Sequence, residues 1–416
     1  MKTVGIIAEY NPFHNGHFYQ LKEAKKVAGA DYCVVVMSGN FTQRGTPALV
    51  DKYARCEMAL CAGADLVIEL PVCFATASAE FFARGAVAIL DHLRVNAICF
   101  GSECGEIAPL KSVAEVLLTE SAAFKKQLKQ KLKEGMSYPS ARSLAITQCM
   151  AKEQPERFTL DEALLNSPNN ILGIEYLKAL YSLKSTMETY TLERKGSGYL
   201  DFALPDASFC SALAIRKHLS EKLELTKLQG YIPQSSMEIL DREMQNGYPL
   251  FTDDFSSILY YRLLSLKGEG YDSFFDVSPS MSNKISKHLD SYGSYINFCN
   301  ELLKSKDLTQ TRISRCLLHI LLNIKKQDLT TYDACGDVLY ARILGFRKDS
   351  QALFQVLKKG KFPLISKLAD ADQILSQTGL KMLNQDIFAA HLYDGVAAQK
   401  TGRPIENEYR RQIVIL

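Results

Sequence analysis

Apolar segments of strand length alternate with amphipathic segments of helix length over the first hundred residues, and this alternation constrains the fold more than any other feature. The strand-like segments are Thr3–Ala8, Asp31–Met37, Asp65–Leu70 and Asn96–Gly101. The helical segments between them are Phe18–Ala28, Asp51–Gly63 and Ser78–Leu93. Continuously apolar strands separated by helices are typical of a parallel sheet covered on both faces. The pattern therefore predicts an α/β fold with a Rossmann-like, doubly wound parallel sheet.

Ligands of such sheets bind in the crevice beyond the carboxyl ends of the strands. The loops that follow the four predicted strands should therefore line one crevice. These loops are Glu9–Asn15, Ser38–Pro47, Pro71–Ala77 and Gly101–Gly105.

The first of these loops leads into His14-Asn15-Gly16-His17 at the start of a predicted helix. A helix N-terminus offers unpaired N–H groups and a positive dipole end, which suit a phosphate. Gly16 allows close approach to the backbone, and two imidazoles can stabilise charge that develops on phosphoryl oxygens. Because phosphoryl and nucleotidyl transfer need mainly positioning and charge neutralisation, the pattern predicts such chemistry. The alternative is a histidine pair on a helix cap with no further role.

Other polar residues follow later strands or begin later helices. Arg44 lies in the second loop, and Lys52 and Arg55 on the next helix could also reach a phosphate or a carboxylate substrate. Asn169 lies at the start of a capped apolar helix, where it could contact a nucleotide or serve only as a cap. A strand-like segment, Met187–Lys195, ends in the basic pair Arg194-Lys195.

From about residue 232 the spacing becomes helical, and strand alternation returns only at Gln412–Leu416. We therefore predict a catalytic domain over residues 1–225, with a helical insertion at about 107–165, and a mainly α-helical domain over residues 226–416. Arg312 and Arg315 lie one turn apart in the second domain, which suits contact with a folded RNA. A solvated helical bundle is the alternative. The predicted helices of this part include Ile258–Leu266, Arg312–Ile324, Val338–Leu344 and Gln351–Lys358.

Composition narrows the class of protein. The net charge of +3 permits a local nucleic-acid-binding patch but does not require one. No apolar run reaches the roughly 18 residues of a membrane span, and we expect no secretory leader. The eleven cysteines show no zinc-binding spacing, so we expect mostly buried, reduced thiols in a cytoplasmic protein.

Several stretches of the chain resemble known signatures. His14-Asn15-Gly16-His17 resembles the His-x-Gly-His signature of the nucleotidyltransferase superfamily, which includes adenylyltransferases and class I aminoacyl-tRNA synthetases. The longer string from Ala8 to His17 resembles the tRNA(Met) cytidine acetate ligase family. Ser-Gly-Asn-Phe-Thr-Gln-Arg-Gly, Ser-Pro-Asn-Asn-Ile-Leu-Gly and Thr-Arg-Ile-Ser-Arg-Cys-Leu-Leu-His-Ile-Leu-Leu also resemble that family, so the resemblance covers the whole chain. The second superfamily signature, Ser-Ser-Thr-x-x-Arg, is matched only partly, because Ser211 and Arg216 fit while Ala212 and Leu213 replace hydroxyl residues.

The resemblance implies a reaction and a set of site residues. ATP and acetate would form acetyl-adenylate and pyrophosphate, and the acetyl group would pass to the wobble cytidine of elongator tRNA(Met), giving N4-acetylcytidine. Mg²⁺ would accompany ATP, and no protein carboxylate cluster announces a metal site. The implied catalytic residues are His14, His17 and Arg216, and the RNA or substrate candidates are Arg44, Arg312 and Arg315. The implied ATP-binding residues are Ile7, Ala8, Glu9, Tyr10, Asn11, Pro12, Phe13, His14, Asn15, Gly16, His17, Phe18, Tyr19, Gln20, Gly101, Asn169, Asn170, Arg194, Lys195 and Ser211.

Without the family resemblance, the residue pattern predicts only the reaction class, nucleotidyl transfer. Two alternatives therefore stand beside the ligase. One is an adenylyltransferase that acts on a small phosphorylated metabolite and uses the helical domain to oligomerise. The other is a non-catalytic RNA-binding protein that keeps a relic nucleotide site.

Overall fold

A computed structural model of the chain describes residues 1–136, 138–153, 162–194, 209–304, 308–357 and 360–416. Within these ranges the strands form a single mixed sheet in the order β5-β4-β1-β2-β3-β6-β7, and β8 pairs with β6. The bounds of the strands are β1 Thr3–Ala8, β2 Tyr32–Ser38, β3 Leu66–Leu70, β4 Ala97–Ser102, β5 Glu188–Glu193, β6 Ala341–Phe346, β7 Leu364–Ile365 and β8 Val414–Ile415.

The strand order places β1 at the switch point of a doubly wound sheet. Parallel pairing runs from β1 to β2 and β3 on one side, and from β1 to β4 and β5 on the other. Successive connections therefore leave β1 in opposite directions, which opens a crevice at the carboxyl ends of β1 and β4. The predicted fold class is confirmed.

Helices cover both faces of the sheet. In the first half of the chain they are α1 Asn15–Ala28, α2 Lys52–Cys61, α3 Val72–Ala75, α4 Ala79–His92, α5 Ile107–Thr119, α6 Ala122–Lys133, α7 Tyr138–Glu153, α8 Glu162–Asn166, α9 Pro168–Ser182 and α10 Ala212–Lys222. The later helices are α11 Gln234–Gln245, α12 Ser256–Leu266, α13 Pro279–His288, α14 Tyr295–Leu303, α15 Gln310–Leu321, α16 Lys326–Ala334, α17 Gln351–Leu357, α18 Ala371–Ile374 and α19 Gln377–Thr401.

The alternating side chains of the strands divide the apolar core between the two faces. Val4 and Ile6 of β1 pack with α1, α2 and α11 on one face. Ile7 packs on the other face with α4 and α9, and this second core continues into the helical C-terminal part. The crevice beyond β1 can therefore be lined from both faces.

One predicted helix is wrong. Val338–Leu344 was expected to be helical, but Ala341–Phe346 forms β6, which pairs antiparallel with β3. The segment Ala-Arg-Ile-Leu-Gly-Phe has six residues, which is too short for periodicity to distinguish a buried strand from a helix. Because β6, β7 and β8 extend the sheet begun by the first hundred residues, the predicted division at residue 225 is crossed by the sheet.

The structure also bears on the expectations about the cysteines, the C-terminal strand and membrane-spanning segments. Most of the cysteines are buried, and the C-terminal strand is present as β8. Among the described residues, every helix is too short or too polar to cross a lipid bilayer.

Candidate active site

Two adjoining cavities lie at the carboxyl ends of β1, β4 and β5. They share five residues, which are His14, His17, Gln20, Gly101 and Arg194. The main cavity is further lined by Ile7, Ala8, Glu9, Tyr10, Asn11, Gln43, Arg44, Phe82, Phe100, Asn169, Leu172, Tyr176, Ser211, Ala212, Leu213 and Arg216. The side cavity adds Gly16, Tyr19, Leu192, Glu193, Phe209 and Cys210.

His14, Gly16 and His17, here called the histidine corner, form the N-terminus of α1. His14 is the N-cap residue, and its Nδ1 accepts a hydrogen bond from the Gly16 amide at 3.0 Å. The His14 amide in turn donates to Nδ1 of His17 at 3.3 Å. The two imidazoles therefore take the places that hydroxyl and carboxylate groups occupy in a conventional capping box. The rings stack with their centroids 3.8 Å apart.

This arrangement fixes the protonation of both rings. Burial, followed by the charges of Arg194 and Arg216, lowers the pKa of His14 to about 3. Burial and then the neighbouring His14 hold the pKa of His17 well below its ordinary value. Both imidazoles are therefore neutral near pH 7. Because each Nδ1 accepts a backbone N–H, the single proton of each ring lies on Nε2, where it can be donated to a ligand oxygen.

Gly16 has a steric reason to be glycine. A Cβ at this position would lie 2.8 Å from Cε1 of His14 and 3.0 Å from its Nδ1. A side chain here would therefore push the His14 ring out of the cap. The sequence motif thus combines two imidazoles with the one residue that lets them stack over the helix start.

Arginines from two other elements line the same cavity. Arg194 follows β5, and its amide donates to the Ser102 carbonyl at 3.0 Å. Arg216 of α10 donates to the Asn11 carbonyl at 2.7 Å. Ser211 caps α10 by accepting from the Ala214 amide at 3.0 Å. The main cavity therefore combines neutral imidazole donors with fixed positive charge.

The second loop, Ser38–Pro47, joins the cavity through Gln43 and Arg44. Its Gln43 amide donates to the Glu9 carboxylate at 2.7 Å, so it is tied to the loop after β1. Its far side rests on α15, where Ser314 Oγ donates to the Gly45 carbonyl at 2.8 Å. Gly45 has φ +74°, and a Cβ there would lie 2.5 Å from the Arg315 amide nitrogen. The loop that carries Arg44 is thus fitted closely against the helical part of the chain.

Arg55 and Lys52 do not reach the cavity, contrary to the hypothesis that either could contact a ligand. The Arg55 guanidinium is fully buried and donates to the carbonyls of Glu9 at 2.8 Å and Ser38 at 2.9 Å, and also to that of Gly39. It therefore holds the ends of β1 and β2 together from beneath. Arg55 is one of the buried residues of α2, so its charge serves the fold instead of a ligand.

Lys52 belongs to a buried ion cluster formed by Lys52, Glu69, Arg342 and Glu408. Lys52 Nζ lies 2.9 Å from Glu69 and also contacts Glu408. Arg342 Nη1 and Nη2 lie 3.1 Å from Glu69 and 2.6 Å from Glu408. Burial alone would raise the pKa of Glu408, but Lys52 and Arg342 lower it to about 2. The cluster therefore joins α2, β3, β6 and the C-terminal segment through compensated charges.

Several predicted site residues lie elsewhere. Phe13 is a core residue, and Asn15 bonds to the backbone of Gly230 and Tyr231. Asn170 is buried and accepts from the amides of Glu103 and Cys104. Pro12 is buried, Phe18 is exposed, and neither lines the cavities. Lys195 lies outside the described residues.

Three further predicted residues have mixed positions. Asn169 lines the main cavity, and its side-chain amide also donates to the Glu103 carboxylate at 2.6 Å. Arg312 is exposed on α15, and Arg315 pairs with Asp276 at 3.1 Å. Neither arginine of α15 lines the two cavities, so their proposed contact with RNA would be made outside them.

The loop Pro71–Ala77 does not line the crevice, contrary to prediction. All seven residues are buried, and the Val72 amide donates to the Asp386 carboxylate at 2.7 Å. Thr76 lies within hydrogen-bond distance of His319. Helices of the C-terminal part therefore cover the end of β3 and remove this loop from the site.

Sequence reasoning missed an apolar group in the main cavity, formed by Phe82, Phe100, Leu172 and Tyr176. Phe82 and Tyr176 are part of helical apolar patterns, which in most proteins simply form core. No local signal separates a core phenylalanine from one that faces a cavity. Within the described residues, no group of three or more potential His, Cys, Asp or Glu metal ligands is present.

Comparison with known proteins gives the family. The family model for HIGH nucleotidyl transferases matches residues 1–408. A tRNA(Met) cytidine acetate ligase from Thermoanaerobacter sp. (strain X514) is 43% identical over 397 residues, which cover 94% of this chain and 95% of that protein. The protein of the same name from Acetivibrio thermocellus is 40% identical over the full length of both chains.

Solved structures agree. The crystal structure of Thermotoga maritima TmcAL without ligand has a TM-score of 0.92 to this chain at 30% identity, with both chains covered completely. The same protein bound with alpha-thio ATP has a TM-score of 0.90 at 31% identity, again over both whole chains. With its histidine corner at the carboxyl end of β1, this chain belongs to the tRNA(Met) cytidine acetate ligase family of HIGH nucleotidyl transferases.

Proposed function

We propose that this protein is an ATP-dependent ligase that activates acetate as acetyl-adenylate and transfers the acetyl group to the wobble cytidine of elongator tRNA(Met). The product is N4-acetylcytidine. The names of its full-length relatives support the overall reaction, and a solved relative was crystallised with alpha-thio ATP. The observation in this chain that carries the proposal is the pair of neutral, stacked histidines at the start of α1.

The nucleotide is proposed to place its α-phosphate at the histidine corner. There the Nε2–H groups of His14 and His17 face charge that grows on the phosphoryl oxygens, and such preorganised donors stabilise a transition state. Arg194 and Arg216 add positive charge to the same cavity. Since the histidines are already neutral, they need no proton exchange before they act as donors.

The first step forms one bond and breaks one. A carboxylate oxygen of acetate attacks the α-phosphorus, and the bond to the bridging oxygen of the β-phosphate breaks, so that pyrophosphate leaves. The exocyclic amine of the cytidine then attacks the acetyl carbon of acetyl-adenylate. A C–N bond forms, the bond to AMP breaks, and the amine loses a proton.

Two partners complete the proposal. Mg²⁺ would bind mainly through the nucleotide phosphates and neutralise their charge, which fits a cavity whose lining carboxylate, Glu9, already accepts from the Gln43 amide. The tRNA would dock on the helical part, for which Arg312 and Arg315 of α15 are the candidate contacts. A tRNA substrate also implies a cytoplasmic location.

The test uses labelled acetate, ATP and a transcript of elongator tRNA(Met). Label should enter the tRNA and, after digestion to nucleosides, should be recovered as N4-acetylcytidine. A matched transcript with uridine at the wobble position should remain unlabelled.

The other outcomes favour the alternatives. Release of pyrophosphate with a phosphorylated metabolite, but not with acetate, would identify a small-molecule adenylyltransferase. Binding of tRNA without turnover of ATP under either condition would identify a non-catalytic RNA-binding protein.

A further inference from the structure

The main cavity contains an apolar wall to which the nucleotide assignment gives no role. The wall consists of Phe82 on α4, Phe100 on β4, and Leu172 and Tyr176 on α9. It belongs to the core on the α4 and α9 face of the sheet, whereas the residues beneath the histidine corner belong to the core on the α1 face. The cavity therefore spans the edge of the sheet, with a polar part and an apolar part.

The wall is held firmly in place. Phe82 and Phe100 are 3% exposed and Tyr176 is 5% exposed. The rings of Phe100 and Tyr176 lie 5.6 Å apart between centroids. At Gly173, a Cβ would come within 2.5 Å of the Phe100 ring, so glycine permits an approach of α9 to β4 that a larger residue would prevent. Because these rings are buried and in close contact, they cannot move aside without cost.

The chemistry of the cavity matches one class of ligand. A short carboxylic acid has an anionic end and an apolar end, and this cavity offers Arg44 and Arg216 for the first and the aromatic wall for the second. We propose that the wall of Phe82, Phe100, Leu172 and Tyr176 receives the alkyl end of the acid and limits its length. This inference rests on the proposed function, because it concerns the acid that attacks ATP.

The physical basis of the selection is steric. Burial of an extra CH₂ is favourable when space for it exists, so a larger acid would bind better in an open pocket. A rigid wall reverses that preference, since an extra methylene must displace packed aromatic rings. One methylene in an apolar pocket typically changes kcat/KM by about 10-fold to 200-fold.

The experiment measures ATP–pyrophosphate exchange with acetate, propionate and butyrate as separate acids. Phe82→Ala should raise the ratio of kcat/KM for propionate to that for acetate by at least about 10-fold. Leu172→Ala, at a partly exposed position where folding is less at risk, should shift the ratio in the same direction. Leu172→Phe should have the opposite effect and lower the ratio of propionate to acetate use below that of the parent.

Phe81→Ala is the matched control. Phe81 is the neighbour of Phe82 on α4, but it packs edge-on against Phe275 and does not line the cavity. Its ratio of propionate to acetate use should equal that of the parent. Loss of stability alone would lower the exchange activity with all three acids by the same factor. A change in the ratio of kcat/KM values requires a change in the part of the cavity that contacts the acid.

The outcomes separate this inference from the proposed function. A parent that exchanges with acetate, combined with unchanged ratios in the Phe82 and Leu172 variants, overturns only the wall assignment. If the Phe82 and Leu172 variants keep the parent's ratio of propionate to acetate use but no longer transfer the acetyl group to tRNA, the wall assignment is also overturned. The wall would then contact the cytidine of the tRNA, not the acid. A parent that exchanges with no acid overturns both proposals.

Discussion

Two groups of ionisable side chains in this molecule, the buried ion cluster and the histidine corner, differ in how their charges are balanced. In the buried ion cluster, Lys52 and Arg342 face Glu69 and Glu408, so each charge is compensated by the protein itself. In the histidine corner the rings are kept neutral and cations line the cavity beside them. A set of charges that is complete within the fold holds strands together, whereas neutral donors beside fixed cations suit an anion from outside.

The largest expected effect separates the two groups by activity. His17→Ala would remove one of the two donors proposed to face the α-phosphate, and loss of one such donor lowers kcat by about 10²-fold to 10³-fold. Acetate-dependent ATP–pyrophosphate exchange measures this step. The variant's affinity for tRNA should change little. His92→Ala is the control, because His92 stacks on Phe362 and does not line the cavities. An equal loss of tRNA binding in His17→Ala would contradict the assigned role.

The next effect separates the groups by stability. Lys52→Met leaves Glu69 and Glu408 with Arg342 as their remaining cation, and breaking a buried ion pair costs about 3 kcal/mol. Urea unfolding would show this fall in the free energy of unfolding. Lys26→Met makes the same change at an exposed pair with Glu23, where the expected loss is at most about 0.5 kcal/mol. Equal losses in the two variants would show that the cluster is no more important than a surface pair.

The smallest effect concerns pH and the protonation of the corner. The pKa of His14 is about 3 in the fold and about 6.5 in an unfolded chain. The unfolded state therefore binds the proton first, and the stability contributed by neutral His14 is present above pH 6.5 and declines as pH falls towards 3. Between pH 8 and pH 5 this loss is about 2 kcal/mol.

His14→Asn tests this linkage, because asparagine keeps the N-cap function but cannot take up a proton. The free energy of unfolding of the variant should fall about 2 kcal/mol less than that of the parent between pH 8 and pH 5. Urea titrations at the two pH values provide the measurement. Parallel losses in parent and variant would mean that His14 is accessible to protons in the fold.

Local pattern was sufficient to predict the strands around β1, the helix start at His14 and the edge of the sheet where the cavities lie. These features depend on residues close in sequence, such as the apolar run of β1 followed by a loop and a cap. The position of Arg44 in the cavity also followed from its place just after β2. Where an element's environment is set by its immediate neighbours in the chain, the sequence carries the information locally.

Contacts between distant segments were beyond the reach of pattern. Nothing near Arg55 indicates that its guanidinium would bind four backbone carbonyls instead of a ligand. Pro71–Ala77 reads as a loop at a strand end, yet Asp386 and His319 cover it from more than two hundred residues away. Phe82 could be assigned to a core but not to a cavity, since that depends on where α9 and β4 come to lie.

The strand β6 has a practical consequence for anyone who would express the first 225 residues alone. Such a fragment would keep the histidine corner but would expose the hydrogen-bonding edge of β3. An exposed strand edge can pair with other chains and so promotes aggregation. Lys52 and Glu69 would also lose their ion-pair partners Arg342 and Glu408. Activity assays on that fragment would then report on a damaged sheet, so each half of this enzyme is best studied by substitution within the intact polypeptide.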